Sequence, residues 1–260
     1  MYDVTNELAY FLGFFWGDGG MKTNNKATTP KICIAQEDAV HIFPIFESLF
    51  DFQYTEYQQK NRKLRATAVF NRNKELRDFL FSMDCLDKSF LAPTKILAFL
   101  PKEFHNYFWR GYIDADGCFY KSKSNKGGRF SISSTYEQDW SKTLEWLDSI
   151  DAKNYKIYRK DYGKGRSSVI EVTYGPDIKK IGEFLYGSLY DNIGLKRKYD
   201  KFKLIVDSLP FRSSQLMGVS FHKGEGKWRS YVKSKFLGWW NTEEEAHQAR
   251  LRFLTQKSAS

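Results

Sequence analysis

Histidine and cysteine are scarce in this chain, four and three among 260 residues, and neither type is grouped. His41, His105, His222 and His247 are scattered, which argues against a zinc nuclease or a histidine-based metal finger. Cys33, Cys85 and Cys118 are isolated and read as reduced core or strand residues of a cytosolic protein. Long apolar runs are missing as well. The run from Leu8 to Trp16 is too short to span a bilayer, and it lacks a basic leader and a cleavage site, so the expected location is cytoplasmic or organellar and not secreted. What is in excess is positive charge: 41 Lys and Arg face 31 Asp and Glu, a net +10 that favours a polyanionic partner over a membrane or an acidic small molecule. Residues 211–260 alone hold nine Lys/Arg against four Glu, so one fifth of the chain carries half of that surplus.

Two stretches share one plan. Phe11-Leu12-Gly13-Phe14-Phe15-Trp16-Gly17-Asp18-Gly19 and Trp109-Arg110-Gly111-Tyr112-Ile113-Asp114-Ala115-Asp116-Gly117 are each an apolar helical run that ends in an acid followed by glycine, with the acids 98 positions apart. Gly13 and Gly17 lie one helical turn apart, as do Gly111 and Ala115, so each helix has a stripe without bulky side chains and the two stripes can pack backbone against backbone. Gly19 and Gly117 are expected to end the helices in a left-handed turn. Asp18 and Asp116 then sit where the helix dipole disfavours negative charge, and close pairing brings the two carboxylates together. A cation is the natural remedy. Asp-Gly alone is a common turn dipeptide; the same small residues and the same acid in both copies set this pair apart. An EF-hand is excluded because Asp114-Ala115-Asp116 is followed at once by Gly117.

The pair resembles the LAGLIDADG homing endonuclease family in its single-chain, two-motif form, with Asp114-Ala115-Asp116-Gly117 matching the second half of that motif letter for letter. The resemblance extends over roughly the first 205 residues. It implies that Asp18 and Asp116 bind metal, with the Gly17 and Ala115 carbonyls as possible further ligands, that Mg²⁺ is the cofactor with Mn²⁺ able to substitute, and that the partner is double-stranded DNA with a long asymmetric target. The first copy departs from the pattern in carrying Trp16 where the second has Asp114, an earlier position that is usually structural in the family.

Beyond each acid the two halves continue in parallel. Each is followed by a strand, a basic polar loop (22–31 and 121–129), a second strand and an amphipathic helix (38–50 and 136–150). A hairpin follows (53–59 with 65–72, and 155–160 with 168–174), then a closing helix (74–82 and 177–189). The expected fold class is α+β: two pseudo-symmetric αββαββα halves, 1–100 and 101–209, forming antiparallel DNA-binding sheets, then a linker at 210–216 and a small three-stranded sheet with one helix at 217–260. One sheet face would pack on helices. The other, fringed by basic loops, would lie along the major groove, which makes Lys22, Lys26, Lys31, Lys60, Arg62, Arg65, Arg72, Lys121, Lys123, Lys126, Arg129, Arg159, Lys160, Lys164 and Arg166 candidates for DNA contact.

The register names further site candidates. Gln36 and Ser134 each follow their acid by 18 residues and resemble the family's polar residue that positions water near the metals; Ser134 is shorter and would need an intervening water. Lys88, in Leu86-Asp87-Lys88-Ser89, and Lys196, in Gly194-Leu195-Lys196-Arg197, resemble the basic residue that each half supplies beside the active site, where a lysine steadies water and offsets charge on a pentacovalent phosphate. Arg197 and Lys198 are close enough to compete with Lys196 for that place.

After the linker, residues 218–222, 227–234 and 235–240 read as three short strands, and Thr242 with Glu243, Glu244 and Glu245 opens a helix with a cap and first-turn acids. Gly218-Val219, Trp228-Arg229, Leu237-Gly238 and Thr242-x-Glu244-Glu245-Ala246 resemble the Apetala-type DNA-binding domain, whose sheet enters the major groove. That resemblance makes Lys227, Trp228, Arg229, Tyr231, Lys233 and Trp239 candidates for contact. The alternative is that Trp228 and one of Trp239 or Trp240 are core; a module this small needs aromatic filling, so half of these aromatics are expected to be core. The function implied is a site-specific endonuclease that makes a staggered double-strand break by metal-dependent hydrolysis. The alternatives are an intron RNA splicing cofactor, with the chain's own intron RNA as partner, and a DNA-binding regulator without nuclease activity.

Overall fold

A computed structural model of the chain describes residues 2–24, 27–58, 64–121, 128–161, 165–187, 190–208 and 216–258, with side chains at 22–24, 27 and 257–258 outside the description. The chain divides into two compact units, Met1–Ser208 and Leu209–Ser260. Among the described residues, no helix is long and apolar enough to cross a membrane.

In the larger unit the first half runs α1 (Asn6–Asp18), β1 (Gly19–Asn24), β2 (Ala27–Ala35), α2 (Gln36–Glu47), β3 (Gln53–Tyr57), β4 (Arg65–Val69) and α3 (Lys74–Ser82). A short helix α4 (Thr94–Phe99) and a single 3₁₀ turn (Lys102–Phe104) lead into the second half. That half runs α5 (His105–Asp116), β5 (Gly117–Lys121), β6 (Gly128–Thr135), α6 (Ser141–Ser149), β7 (Tyr155–Asp161), β8 (Arg166–Val172), α7 (Gly175–Tyr186) and α8 (Lys196–Asp207). Each half builds one antiparallel sheet of the same order, β1-β2-β4-β3 and β5-β6-β8-β7. The duplicated plan expected from sequence is present. Two elements exceed it, the linking helix α4 and the closing helix α8.

The centre of the unit is the pair α1 and α5. Helix α1 starts on a Thr5 cap, whose hydroxyl accepts from the Leu8 amide at 3.2 Å, and every residue from Leu8 to Trp16 is buried. A helix apolar on all sides is one enclosed on all sides. The two axes meet at glycine: a Cβ on Gly13 would lie 1.8 Å from the Phe108 carbonyl oxygen, and one on Gly111 would lie 2.1 Å from that of Tyr10. Around this seam the first half packs Phe11 against Phe46, Phe50 and Phe70, and the second stacks Trp109 on Trp146 at 4.6 Å. Helix α8 is set down in the same way, because the Phe202 ring lies where a Cβ on Gly182 of α7 would project, 2.0 Å away.

Each sheet shows the alternation of a half-buried surface. In β2 and β4, Ile32, Ile34, Ala66 and Ala68 are buried, while Lys31, Cys33, Arg65 and Thr67 share the other face. In β6 and β8, Phe130, Ile132, Ile170 and Val172 are buried, and Arg129, Ser131, Ser133, Val169 and Glu171 share the other face.

One expected detail is corrected. Gly19 and Gly117 do not turn left-handed; their φ/ψ angles are −68°/153° and −89°/161°. Helix passes directly into strand, and what demands glycine is space. A Cβ on Gly19 would come 2.3 Å from the Phe15 carbonyl oxygen, and one on Gly117 would come 2.7 Å from that of Ile113.

The smaller unit holds β9 (Val219–His222), β10 (Lys227–Val232), β11 (Lys235–Trp240) and α9 (Glu243–Ser258), in the sheet order β11-β10-β9. The start of α9 is a capping box: the Glu245 amide donates to Thr242 Oγ1 at 3.2 Å, and Glu245 Oε2 accepts from the Thr242 and Asn241 amides. Most of the expected linker lies outside the described residues.

Gly13→Ala and Gly111→Ala should each destabilise the larger unit by about 3 kcal/mol or more, because the obstructing atoms are main-chain carbonyls that cannot swing aside. Gly20→Ala, whose Cβ meets only Lys31 Cε at 3.9 Å, is the control. Thermal unfolding of the three variants decides it; unchanged midpoints for Gly13→Ala or Gly111→Ala would contradict the helix contact.

Candidate active site at the paired helix ends

The close approach of α1 and α5 persists to their C-termini. A Cβ on Gly17 would fall 2.4 Å from Ala115 Cβ and 3.2 Å from Asp116 Oδ2, so the ends of the two motifs, with Asp18 and Asp116, converge on one place. Both carboxyls are raised in pKa. For Asp116, burial is the main cause and the charge of Asp18 the second; together they push it up to about 6 against the pull of Lys88 and Lys198. Asp18 is raised by burial, and Lys198, Lys88 and Arg65 oppose the shift. Two acids that hold their protons in this way form a site that favours an external positive charge.

Two lysines sit beside them, Lys198 buried and Lys88 half-buried. Lys88 Nζ donates to the carbonyls of Trp16 at 2.7 Å and Gly17 at 2.5 Å. Lys198 Nζ donates to those of Ile113 at 2.6 Å, Asp114 at 2.5 Å and Gly117 at 2.9 Å. Each ammonium thus reaches main-chain carbonyls at the C-terminal end of a motif helix, at the negative pole of its dipole, those of Trp16, Gly17 and Asp114 having no donor within the helix. Burial lowers the pKa of both amines, with the two aspartates acting against that for Lys88 and Asp114 foremost against it for Lys198.

Of the three adjacent basic residues, the structure brings Lys198 to the helix end. Lys196 is exposed and pairs with Asp200 at 2.7 Å. The sequence did hold a signal: Leu195, Lys198, Phe202 and Ile205 follow helical spacing and all are buried, so Lys198 lies on the inward stripe of α8 and Lys196 lies off it. Asp114 is likewise buried and accepts from Tyr10 Oη at 2.8 Å and from the Leu195 amide at 2.7 Å. It fixes the entry of α8, a local role that Trp16 does not reproduce in the first half.

Gln36 opens α2 and is held by two partners on β3: its Nε2 donates to Glu56 Oε1 at 2.5 Å, and its Oε1 accepts from Tyr54 Oη at 2.9 Å. Cross-strand pairing places Glu56 with Ala66 and Ile34, and Ile157 with Ile170 and Ile132, so the second half has isoleucine where the first has this acid. Ser134 is engaged differently from Gln36. Its hydroxyl donates to Gln138 Oε1 at 2.7 Å, an engagement within the protein.

The basic candidates separate by face. Lys31 and Arg65 lie on the open face of the first sheet, and Arg129 and Lys160 on that of the second, by their pairing with Ser131-side and Ser167-side positions. Lys121 ends β5 and Arg72 lies in the turn after β4. Arg159 and Arg166 share the opposite parity and sit over the Tyr136 ring at 5.6 and 4.1 Å, so those two are turned away from the open face. Lys26, Lys60, Arg62, Lys123, Lys126 and Lys164 lie outside the described residues, as does the Lys22 side chain.

In the smaller unit Trp228 shares its face with Phe221 and Trp240, and Trp240 Nε1 donates to the buried Ser230 Oγ at 3.2 Å. The other face carries a continuous row in which His222 touches Trp239 (5.1 Å), Trp239 touches Phe236 (5.3 Å) and Phe236 touches Tyr231 (5.2 Å). Arg229 flanks that row and donates to Ser220 Oγ at 2.9 Å. Lys227 opens β10 on the same face, and Lys233 lies in the β10–β11 turn. Of the two tryptophans left open by the sequence, Trp240 belongs with Trp228 and Trp239 is exposed.

Residues 103–183 match the family described as the LAGLIDADG-like domain. Among solved structures, the LAGLIDADG meganuclease I-AabMI bound to uncleaved DNA aligns with a TM-score of 0.53 at 12% identity, over 78% of this chain and 91% of that one. I-SmaMI, bound to an uncleaved DNA target in the presence of calcium ions, gives 0.49 at 14% identity over 78% and 91%. A variant of I-DmoI in complex with its target DNA and manganese gives 0.49 at 18% over 72% and 97%. No curated relative matches the chain. The architecture, two antiparallel four-stranded sheets about a central helix pair, is the LAGLIDADG fold.

Because Asp116 holds its proton up to about pH 6 in the folded chain against an ordinary carboxyl value of 3.8, its ionised form costs stability at neutral pH, and that cost disappears below about pH 4. In EDTA at pH 7.5, Asp116→Asn should therefore melt about 2–6 °C above the parent, the gap closing as the pH falls to 4. A variant less stable than the parent at pH 7.5 would refute the electrostatic account.

Proposed function

We propose that the chain is a site-specific homing endonuclease that cuts both strands of duplex DNA by divalent-metal-assisted hydrolysis. The observation that carries this reading is the convergence of Asp18 and Asp116, both raised in pKa, beside the buried Lys198 and the half-buried Lys88, in a unit of two sheets with open polar faces. Among the described residues no three His, Cys, Asp or Glu side chains form a metal cluster. The donor set is instead two carboxylates and helix-end carbonyls, hard oxygen donors that suit Mg²⁺, with Mn²⁺ able to substitute. Asp18 and Asp116 would hold the ions, with the Gly17 and Ala115 carbonyls nearby. Bound there, divalent cations supply Lewis acidity toward the attacking water and the leaving oxygen of each phosphodiester.

The chain's own groups do the rest. Lys88 and Lys198 keep two positive charges beside the carboxylates, offsetting the charge that develops on a pentacovalent phosphorus. Gln36, held by Tyr54 and Glu56, would take the water-positioning part that the family resemblance gives it. Lys31, Arg65, Arg129 and Lys160 supply phosphate and base-edge contacts on the open faces, which set the register of the duplex over the site. Strand cuts on either side of a minor groove would leave a staggered break with 3′-hydroxyl and 5′-phosphate ends. The smaller unit acts as an Apetala-type DNA-binding module, its aromatic row and Arg229 lengthening the recognised site.

Purified chain incubated with genomic DNA and Mg²⁺, followed by adaptor ligation to new ends and sequencing, should yield one recurrent staggered break. Asp18→Asn and Asp116→Asn should each lower cutting by about 10³-fold or more while DNA binding persists. Cutting at the parent rate by either variant would refute the metal assignment. Deleting residues 213–260 should weaken binding and shorten the footprint while leaving cleavage chemistry in place; an unchanged footprint would count against the module.

A further inference from the structure

Both lysines of the site are carried by segments that the opposite half of the molecule holds down. Lys198 stands in the first turn of α8, in the second half. Its neighbour Arg197 makes a two-pronged contact with Asp38 at the start of α2, in the first half, Nε to Oδ1 and Nη2 to Oδ2, both at 2.6 Å. Asp38 is buried there. Lys88 belongs to the first half, in the turn after α3. The residues that follow it are gripped from the second half: Thr135 Oγ1 donates to the Ser89 carbonyl, and Gln138 Nε2 donates to the Leu91 carbonyl at 2.6 Å. Gln138 is buried, and the Ser134 hydroxyl, by donating to its Oε1, fixes which end of the amide faces Leu91.

The two grips occupy equivalent places. Asp38 and the Thr135–Gln138 stretch both lie where the second strand of a half gives way to its first sheet-covering helix, and both act within three residues of the other half's lysine. A buried ammonium needs its acceptors at fixed distance, since a shift of about 1 Å leaves a charge without partners. Whatever fixes the segment fixes the charge.

We propose that Arg197 with Asp38, and Gln138 with Ser134 and Thr135, are positioning residues that seat Lys198 and Lys88 from across the molecule, so that each half's basic group depends on the other half being in place. Ser134 is thereby assigned a mechanical part, as the residue that orients Gln138. The inference concerns the same site as the nuclease reading, and its first test is independent of that reading.

The test uses the full chain with Arg197→Met and Gln138→Leu, each checked for cooperative unfolding, and a milder pair, Arg197→Lys and Ser134→Ala, in case either fails to fold. Brief amine labelling with an N-hydroxysuccinimide ester, read by peptide mass spectrometry, reports each lysine separately. Arg197→Met should raise labelling of Lys198 by about tenfold with Lys88 still protected, and Gln138→Leu should do the reverse. The milder pair should show the same selectivity at smaller size. Equal labelling of both lysines in every variant, or protection unchanged in all, would overturn the proposal. On a duplex target labelled on each strand in turn, Arg197→Met should slow the same strand as Lys198→Met, and Gln138→Leu the same strand as Lys88→Met. Loss of both cuts alike in folded variants would overturn it as well. If the parent chain cuts no DNA, the nuclease reading falls and the labelling result still decides the seating.

Discussion

Everything in the larger unit hangs on two helices whose backbones touch. Gly13 and Gly111 allow α1 and α5 to meet main chain to main chain, and that spacing has two results. It brings Asp18 and Asp116 to one place, and it encloses the apolar length of α1 on every side, so a helix with no polar face is stable in water. The cost appears at the far end, where loss of solvent at the two helix ends, joined for Asp116 by the charge of Asp18, makes both acids hold protons more tightly than carboxyls ordinarily do. Stability at the seam and electrostatic tension at its tip have the same origin.

The lysines are the protein's internal answer to that tension. A carbonyl at a helix C-terminus lacks an intrahelical donor, and an ammonium placed there satisfies the carbonyl and faces the acids at once. Lys88 and Lys198 do this with different carbonyl sets, so the two halves share a principle without being copies. The same holds at Gln36, where Glu56 and Tyr54 act in one half and Ile157 occupies the corresponding place in the other. A single chain carrying both halves is free to let them diverge in this way.

Much of this was legible in the amino-acid order. The small residues at helical spacing located the seam, the acids marked where the two helix ends converge, and alternation in the strands located the open faces. Helix α3 matches its expected span, Lys74–Ser82. What escaped were features set by distance in space. The spacing of Lys196, Arg197 and Lys198 could not rank the three, although the stripe of Leu195, Phe202 and Ile205 pointed at the last of them. The Asp38–Arg197 contact spans 159 positions, and no local pattern announces a pair so far apart. Glycine after each acid was expected to serve a left-handed turn; it serves clearance, because the strand begins directly where the helix stops.

The two grips on the lysines differ in kind. One is a guanidinium on a carboxylate, with the Arg197 side chain 45% exposed; the other is a neutral amide, buried and hydrogen-bonded to a main-chain oxygen. Dissolved ions weaken the first by screening and leave the second untouched. The ionic strength of the surroundings therefore acts unequally on the two sides of a molecule that looks symmetric, loosening the Lys198 side before the Lys88 side.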